Sequence, residues 1–177
     1  MEDQEIKSLF LNPETERNGF EQLTRKYSQR VYWHVRKIVI DHDDADDVTQ
    51  EAFLKVWTNR SKFRGDSGLF TWIYRIATNE SLNFLNKKKR TIMGGELEVE
   101  LASSLTADEL VSGDKIQLML QHAILSLPEK QRLVFNMKYF DDLTFKQIAE
   151  ITDTSEGALK ASYHHAVKKI EEFMKGN

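Results

Sequence analysis

Residues 144–173 read TFKQIAEITDTSEGALKASYHHAVKKIEEF, and this stretch decides the fold. Thr144 and Gln147 stand at the spacing of a capping box, so a short helix opens there with Ile148 and Ala149 inside. Asp153-Thr154 interrupts the apolar spacing, and Ser155 caps a longer helix. In that helix Leu159, Tyr163, Ala166, Ile170 and Phe173 recur every three or four residues and share one side. A short helix, a tight polar turn and a longer helix make a helix-turn-helix unit.

Opposite its apolar side the long helix carries Gly157, Lys160, Ala161, His164, His165 and Lys168. Small residues, cations and imidazoles suit a helix that enters a major groove and touches both phosphates and base edges. The competing reading is an ordinary solvated face on a helical hairpin. Cap, turn and face together favour DNA. The adjacent His164 and His165 point about 100° apart on a helix and do not readily share one ion. With no cysteine in the chain, no metal site or other cofactor is expected.

Working back from this unit, Ile116, Leu120, Ala123, Ile124 and Leu127 make an amphipathic helix stopped by Pro128. Another runs from about residue 128 to 140 with Leu133, Met137 and Phe140 inward, and Asp141-Asp142 breaks it. Residues 91–113 (TIMGGELEVELASSLTADELVSG) contain Gly-Gly, Ser-Ser and acidic residues but no Lys or Arg, and read as a mobile acidic linker. Its composition fits a solvated spacer; a sharper alternative is a mimic of nucleic-acid phosphates.

Before the linker the charge inverts. Residues 41–51 (DHDDADDVTQE) carry six carboxylates and no Lys or Arg, whereas 53–90 carry nine Lys or Arg against Asp66 and Glu80. Phe53, Trp57, Phe63, Phe70, Trp72, Tyr74 and Phe84 are interleaved among those cations. A basic, aromatic surface fits a polyanion with flat faces, such as single-stranded nucleic acid. Asp43 or Asp44 can cap a helix that buries Val48, Ala52 and Val56, leaving Asp47, Gln50, Glu51 and Leu54 on another face. Residues 61–68 (SKFRGDSG) form a loop. The helix after it has a core stripe of Phe70, Ile73, Ala77 and Phe84, and a separate stripe of Trp72, Arg75, Asn79, Asn83 and Asn86. Trp does not fit a merely solvated stripe, nor Arg with three Asn a core, so this is a binding face. Further upstream, Asn12-Pro13-Glu14 signals a helix start, with Phe20, Leu23, Tyr27, Val31, His34 or Val35, and Ile38 as its buried stripe.

No strand pattern competes, and the whole is expected to be all-α: a domain over 1–90, a linker over 91–113 and a helix-turn-helix domain over 114–177. The net charge of −3 argues against a nucleic-acid binder until it is divided. Residues 1–90 hold 16 basic and 14 acidic side chains, 114–177 hold nine of each, and the acidic excess lies in the linker. The acidic start MEDQEIKSLF lacks the pattern of a secretory signal, and the absence of cysteine suits the cytoplasm. No Ser-His-Asp order, phosphate-cradling glycine loop or inward carboxylate pair suggests an enzyme.

Two stretches resemble one family. Asp44–Trp57 (DADDVTQEAFLKVW) is similar to the core-polymerase-binding helix of bacterial sigma factors, and Phe63-Arg64-Gly65 with Phe70–Asn79 (FTWIYRIATN) resembles their promoter-melting segment. Leu127–Arg132 (LPEKQR) and 144–170 resemble their upstream-element domain, and the short length points to the extracytoplasmic-function group. The resemblance implies that Asp47, Gln50 and Glu51 dock on core RNA polymerase, with Leu54 and Trp57 in apolar contact or support. It implies that the loop of Lys62, Phe63, Arg64, Gly65, Asp66 and Ser67 takes a base flipped from the minus-ten element. Trp72, Arg75, Asn79 and Asn83 would contact neighbouring bases and phosphates. Ser155, Lys160, His164, His165 and Lys168 would meet the minus-thirty-five element. An anti-sigma protein, often membrane-anchored, is a further implied partner. Where the family usually places Arg, this chain has Ser162, and often also His165 and Val167, which weakens phosphate attraction. The alternative is a stand-alone helix-turn-helix regulator that binds duplex DNA without polymerase.

Overall fold

The computed structural model describes residues 1–92, 95–108 and 113–176. Among them every regular element is a helix, and the chain divides into two compact units, Met1–Phe84 and Leu85–Asn177. The first unit holds α1 (Asp3–Leu11), α2 (Glu16–Val39), α3 (His42–Thr58), a 3-10 turn (Arg60–Lys62) and most of α4 (Leu69–Thr91).

Helix α1 was not expected, because its apolar signal is only Ile6 and Phe10, too few for a periodic pattern. Both are buried. Packing, not propensity, holds so short a helix. Asn12 therefore does not open a long helix: it ends α1, its Oδ1 accepts the Glu14 N–H at 3.0 Å, and α2 starts at Glu16. Gly19 lets α1 and α2 touch backbone to backbone, since a Cβ there would lie 2.4 Å from Phe10 N.

Along α2 the expected residues Leu23, Tyr27, Val31, His34, Val35 and Ile38 are buried, and Phe20 is half-buried. His34 is satisfied in the core, 2.8 Å from Thr78 Oγ1 and stacked on Tyr74 at 4.4 Å. The turn into α3 centres on Ile40 at φ 73°, with Asp41 N–H donating to Val39 C=O at 2.9 Å. A β-branched residue held there costs on the order of 1–3 kcal/mol, offset by burial of its side chain. The turn delivers Asp41, rather than Asp43 or Asp44, to the cap of α3, where its carboxylate accepts the Asp44 N–H at 3.1 Å. His42 is consequently the first residue of α3 and not part of a loop.

Helix α4 buries Leu69, Phe70, Ile73, Tyr74, Ala77 and Leu85. Phe84, expected inside, is half-buried. Thr78 and Ser81 share the buried side because each hydroxyl donates 2.7 Å back to its own helix, to Tyr74 C=O and Ala77 C=O. Lys55 of α3 pairs with the largely buried Glu80 of α4 at 2.6 Å.

The second unit holds α5 (Glu96–Ala107), α6 (Lys115–Leu125), α7 (Glu129–Tyr139), α8 (Phe145–Thr152) and α9 (Glu156–Lys175). Helix α5 corrects the expectation of an unstructured spacer over its span: Leu97, Leu101 and Leu105, four apart, are buried in a helix that packs on α6. Two acidic residues and two serines between them dilute that pattern. Met93, Gly94 and residues 109–112 of the expected linker lie outside the described residues.

Ala123, Ile124, Leu127, Phe135, Ala166 and Ile170 form the core of the second unit. Ile116, expected inside, is 70% exposed, because Asp114 caps α6 and places it on the outer side of the first turn. In α7 the inward set is Val134, Phe135, Asn136 and Met137, with Leu133 and Phe140 half-buried. The capping box of Thr144 and Gln147 is present, and Asp153 closes α8 in the left-handed region at φ 52°.

Candidate nucleic-acid interface

On α3, burial of Ala45, Val48, Ala52, Phe53 and Val56 turns Asp47, Gln50, Glu51 and Leu54 outward. Leu54 is 54% exposed among these acids, so this face is apolar at one end and negative at the other. Trp57 does not join it. Its ring packs on Phe20 at 5.2 Å and lies under the Arg60 guanidinium at 4.0 Å. Arg60 is in turn held by both Glu16 oxygens, at 2.9 and 3.1 Å. Hydrogen bonding to Arg60 holds the Glu16 carboxyl below its usual range, and the same bond raises the guanidinium.

The loop after the 3-10 turn separates into anchors and outward groups. Phe63 is 4% exposed and stacks on Trp72 at 4.7 Å, and the Phe10 ring lies 6.1 Å from Trp72. Both expected contact aromatics are thus at least partly committed inward: Phe63 is core and Trp72 half-buried. Lys62, Arg64 and Asp66 are exposed, while Gly65 and Ser67 are half-buried. Gly65 takes φ 79°, and its carbonyl accepts from Lys7 Nζ at 2.7 Å. Lys7 carried no sequence signal, since it stands 58 residues from its partner. Beyond the loop, Arg75, Asn79, Asn83 and Asn86 are exposed along α4, as are Lys87, Lys89 and Arg90. Lys88 instead pairs with Glu100 of α5 at 2.7 Å.

In the second unit Lys160, His164, His165 and Lys168 are exposed on one side of α9, together with Gly157 and Ala161. Burial of Leu159, Ala166 and Ile170 fixes that orientation. Gly157 meets nothing a Cβ would touch, so no internal contact demands its smallness. Ser155 is the N-cap of α9, its Oγ accepting from Ala158 N at 3.3 Å. The Lys160 ammonium lies 5.9 Å from the Phe145 ring, a contact between the two helices of the motif. Arg132, missed as a structural residue, donates from Nη1 to Leu125 C=O at 2.9 Å at the C-terminus of α6. Burial there lowers its guanidinium from the ordinary range.

A helical unit with an acid-and-leucine face and an Arg-Asn stripe, followed by a helix-turn-helix unit, defines an all-α protein of two helical units. Two family models match in that order, Sigma-70 region 2 over residues 23–91 and Sigma-70, region 4 over residues 117–170. The RNA polymerase sigma-H factor of Pseudomonas aeruginosa is 28% identical over 166 residues, covering 88% of this chain and 86% of that protein. The ECF RNA polymerase sigma factor SigW of Bacillus subtilis is 28% identical over 159 residues, 84% of this chain and 85% of that protein. Among solved structures, the sigma factor RpoE in complex with the anti-sigma factor NepR from Bartonella quintana matches with a TM-score of 0.69. It is 18% identical and covers 88% of this chain and 96% of that one. CnrH in complex with the cytosolic domain of CnrY matches with a TM-score of 0.72, 18% identity, and 99% and 98% coverage. At that identity the two structures speak to the fold alone. The chain belongs to the sigma-70 family, in its extracytoplasmic-function group. It is a promoter-specific transcription-initiation subunit.

Proposed function

We propose that the chain docks on core RNA polymerase through Asp47, Gln50, Glu51 and Leu54 of α3 and opens promoter DNA with the adjoining loop and α4. The observation that carries this is the exposure of a leucine among carboxylates on α3, together with an exposed Arg75-Asn79-Asn83 row on α4, both inside the region 2 match. Trp57 supports the docking face from behind. The loop of Lys62–Ser67 takes a base flipped from the non-template strand of the minus-ten element, with Phe63 and Trp72 as its inner wall. Flipping costs a few kcal/mol, and stacking of about 1–3 kcal/mol per base offsets it. Lys160, His164, His165 and Lys168 meet the minus-thirty-five element in the major groove, where the Ser155 cap sets the helix N-terminus against a phosphate.

The polymerase supplies the chemistry, and this chain acts by binding. That places its work in the cytoplasm; no helix among the described residues is long and apolar enough to cross a membrane. An anti-sigma protein is a proposed partner, since two structural neighbours were each solved in complex, one with an anti-sigma factor and one with a cytosolic domain. The test is run-off transcription with purified core polymerase on genomic fragments, with and without this protein. Asp47→Ala with Glu51→Ala should lower core affinity at least tenfold, and Arg75→Ala should slow open-complex formation while sparing core affinity. Unchanged core affinity in the first variant would remove the docking assignment.

A further inference from the structure

We propose that Lys7 of α1 is a positioning residue for the Lys62–Ser67 loop, fixing the loop backbone in the form that accepts the flipped base; this rests on the base-capture role assigned to the loop above. Among the described residues no backbone–backbone hydrogen bond joins Arg64 to Ser67. Something else must set this stretch of backbone. Lys7 Nζ donates to the Gly65 carbonyl at 2.7 Å and lies 5.9 Å from the Phe63 ring. The lysine stem lies close against Gly65, where a Cβ would fall 2.8 Å from Lys7 Cε. Glycine at 65 is required by the left-handed φ of 79°, and the lysine end meets the backbone at that turn.

The platform under Lys7 is itself rigid. Ile6 and Phe10 bracket it at 1% and 2% exposure, and Gly19 brings the α1 backbone into contact with α2. Asp3 holds the start of α1 to Lys26 at 2.7 Å and to the Tyr27 hydroxyl. Helix α1 also lies wholly outside residues 23–91, the part matched by the region 2 model. The brace thus lies outside the matched segment, and the polar contact it makes with the loop among the described residues falls on the residue with the unusual backbone angle.

The test uses the full chain with core polymerase on four promoters that differ only in the captured base of the minus-ten element. Lys7→Met keeps the stem and removes the donor. It should retain core affinity and thermal stability, slow open-complex formation about tenfold, the loss expected for one charged hydrogen bond, and flatten the preference among the four bases. Lys7→Arg should restore the preference. An unaltered preference and rate in Lys7→Met overturns the proposal. If Lys7→Met is destabilised, Lys7→Arg and Lys7→Glu are compared instead, since an ionised Glu has no donor, and equal base preference in those two overturns it as well. A parent protein that shows no base preference at that position would instead remove the base-capture role itself, with Lys7 not at issue.

Discussion

The loop of the first unit and helix α9 of the second are both proposed as surfaces for nucleic acid, yet they are held in different ways. Helix α9 is positioned from its own opposite side: Leu159, Ala166 and Ile170 are buried, so Lys160, His164, His165 and Lys168 must point out. The loop has no such local logic. Its shape depends on Phe63 stacked on Trp72, on Arg60 clamped by Glu16 and on Lys7 reaching the Gly65 carbonyl, contacts that span 9, 44 and 58 residues. A substitution on α9 should therefore remove one contact and leave the surface in place. A substitution behind the loop should move the surface without touching nucleic acid.

The strongest way to break this contrast is Phe63→Ala. Loss of a buried ring from the stack should destabilise the first unit by about 3 kcal/mol. Tryptophan fluorescence during urea unfolding reads this unit, since Trp33, Trp57 and Trp72 all lie in it. A loss below about 1 kcal/mol would mean that the loop is anchored by something other than the stack. Next in size is Thr144→Ala, which removes the capping box of α8 and should cost about 1 kcal/mol, followed by far-UV circular dichroism.

Lys168→Ala sharpens the other side of the comparison. Stability should stay within about 0.5 kcal/mol, while the slope of log affinity against log salt for the upstream element should fall by about 0.9. A drop in stability without a change in slope would make Lys168 a structural residue. The smallest effect concerns the acid limb of the stability curve. Burial works to raise the Asp3 carboxyl, but hydrogen bonds from Lys26 and Tyr27 and the charges of Lys26 and Arg30 outweigh it, so the net shift is downward. A lowered folded-state value means the contribution is present above the ordinary carboxylate range and is lost as pH falls through the folded one. Asp3→Asn should accordingly lower stability at neutral pH and leave low pH little changed, so that the acid limb of the stability curve flattens; an unaltered acid limb would remove Asp3 from the α1 brace.

The same contrast explains what could be read in advance. The helix-turn-helix was legible because each signal is local: Thr144 three residues from Gln147, Ser155 at the head of α9, and apolar residues one turn apart. The exposed acids of α3 were legible for the same reason. Ile116 defeated the periodicity because the Asp114 cap sets it on the outer side of the first turn of α6. Helix α5 was obscured by composition, since Glu and Ser between Leu97, Leu101 and Leu105 made a packed helix look like a solvated spacer. Helix α1 and Lys7 could not be found at all, because a nine-residue helix with two buried side chains is defined by what it packs against.

By itself the sequence determined that this protein is all-α, that it contains a helix-turn-helix, and which faces of α3 and α9 meet solvent. Those properties follow from spacing and capping, which act within a few residues. Only the tertiary structure decided that Trp57, Phe63 and Trp72 face largely inward, that α5 is a packed helix, and that Lys7 sits against Gly65. Such contacts join residues distant in the chain, and their energies exist only once the helices have closed around them.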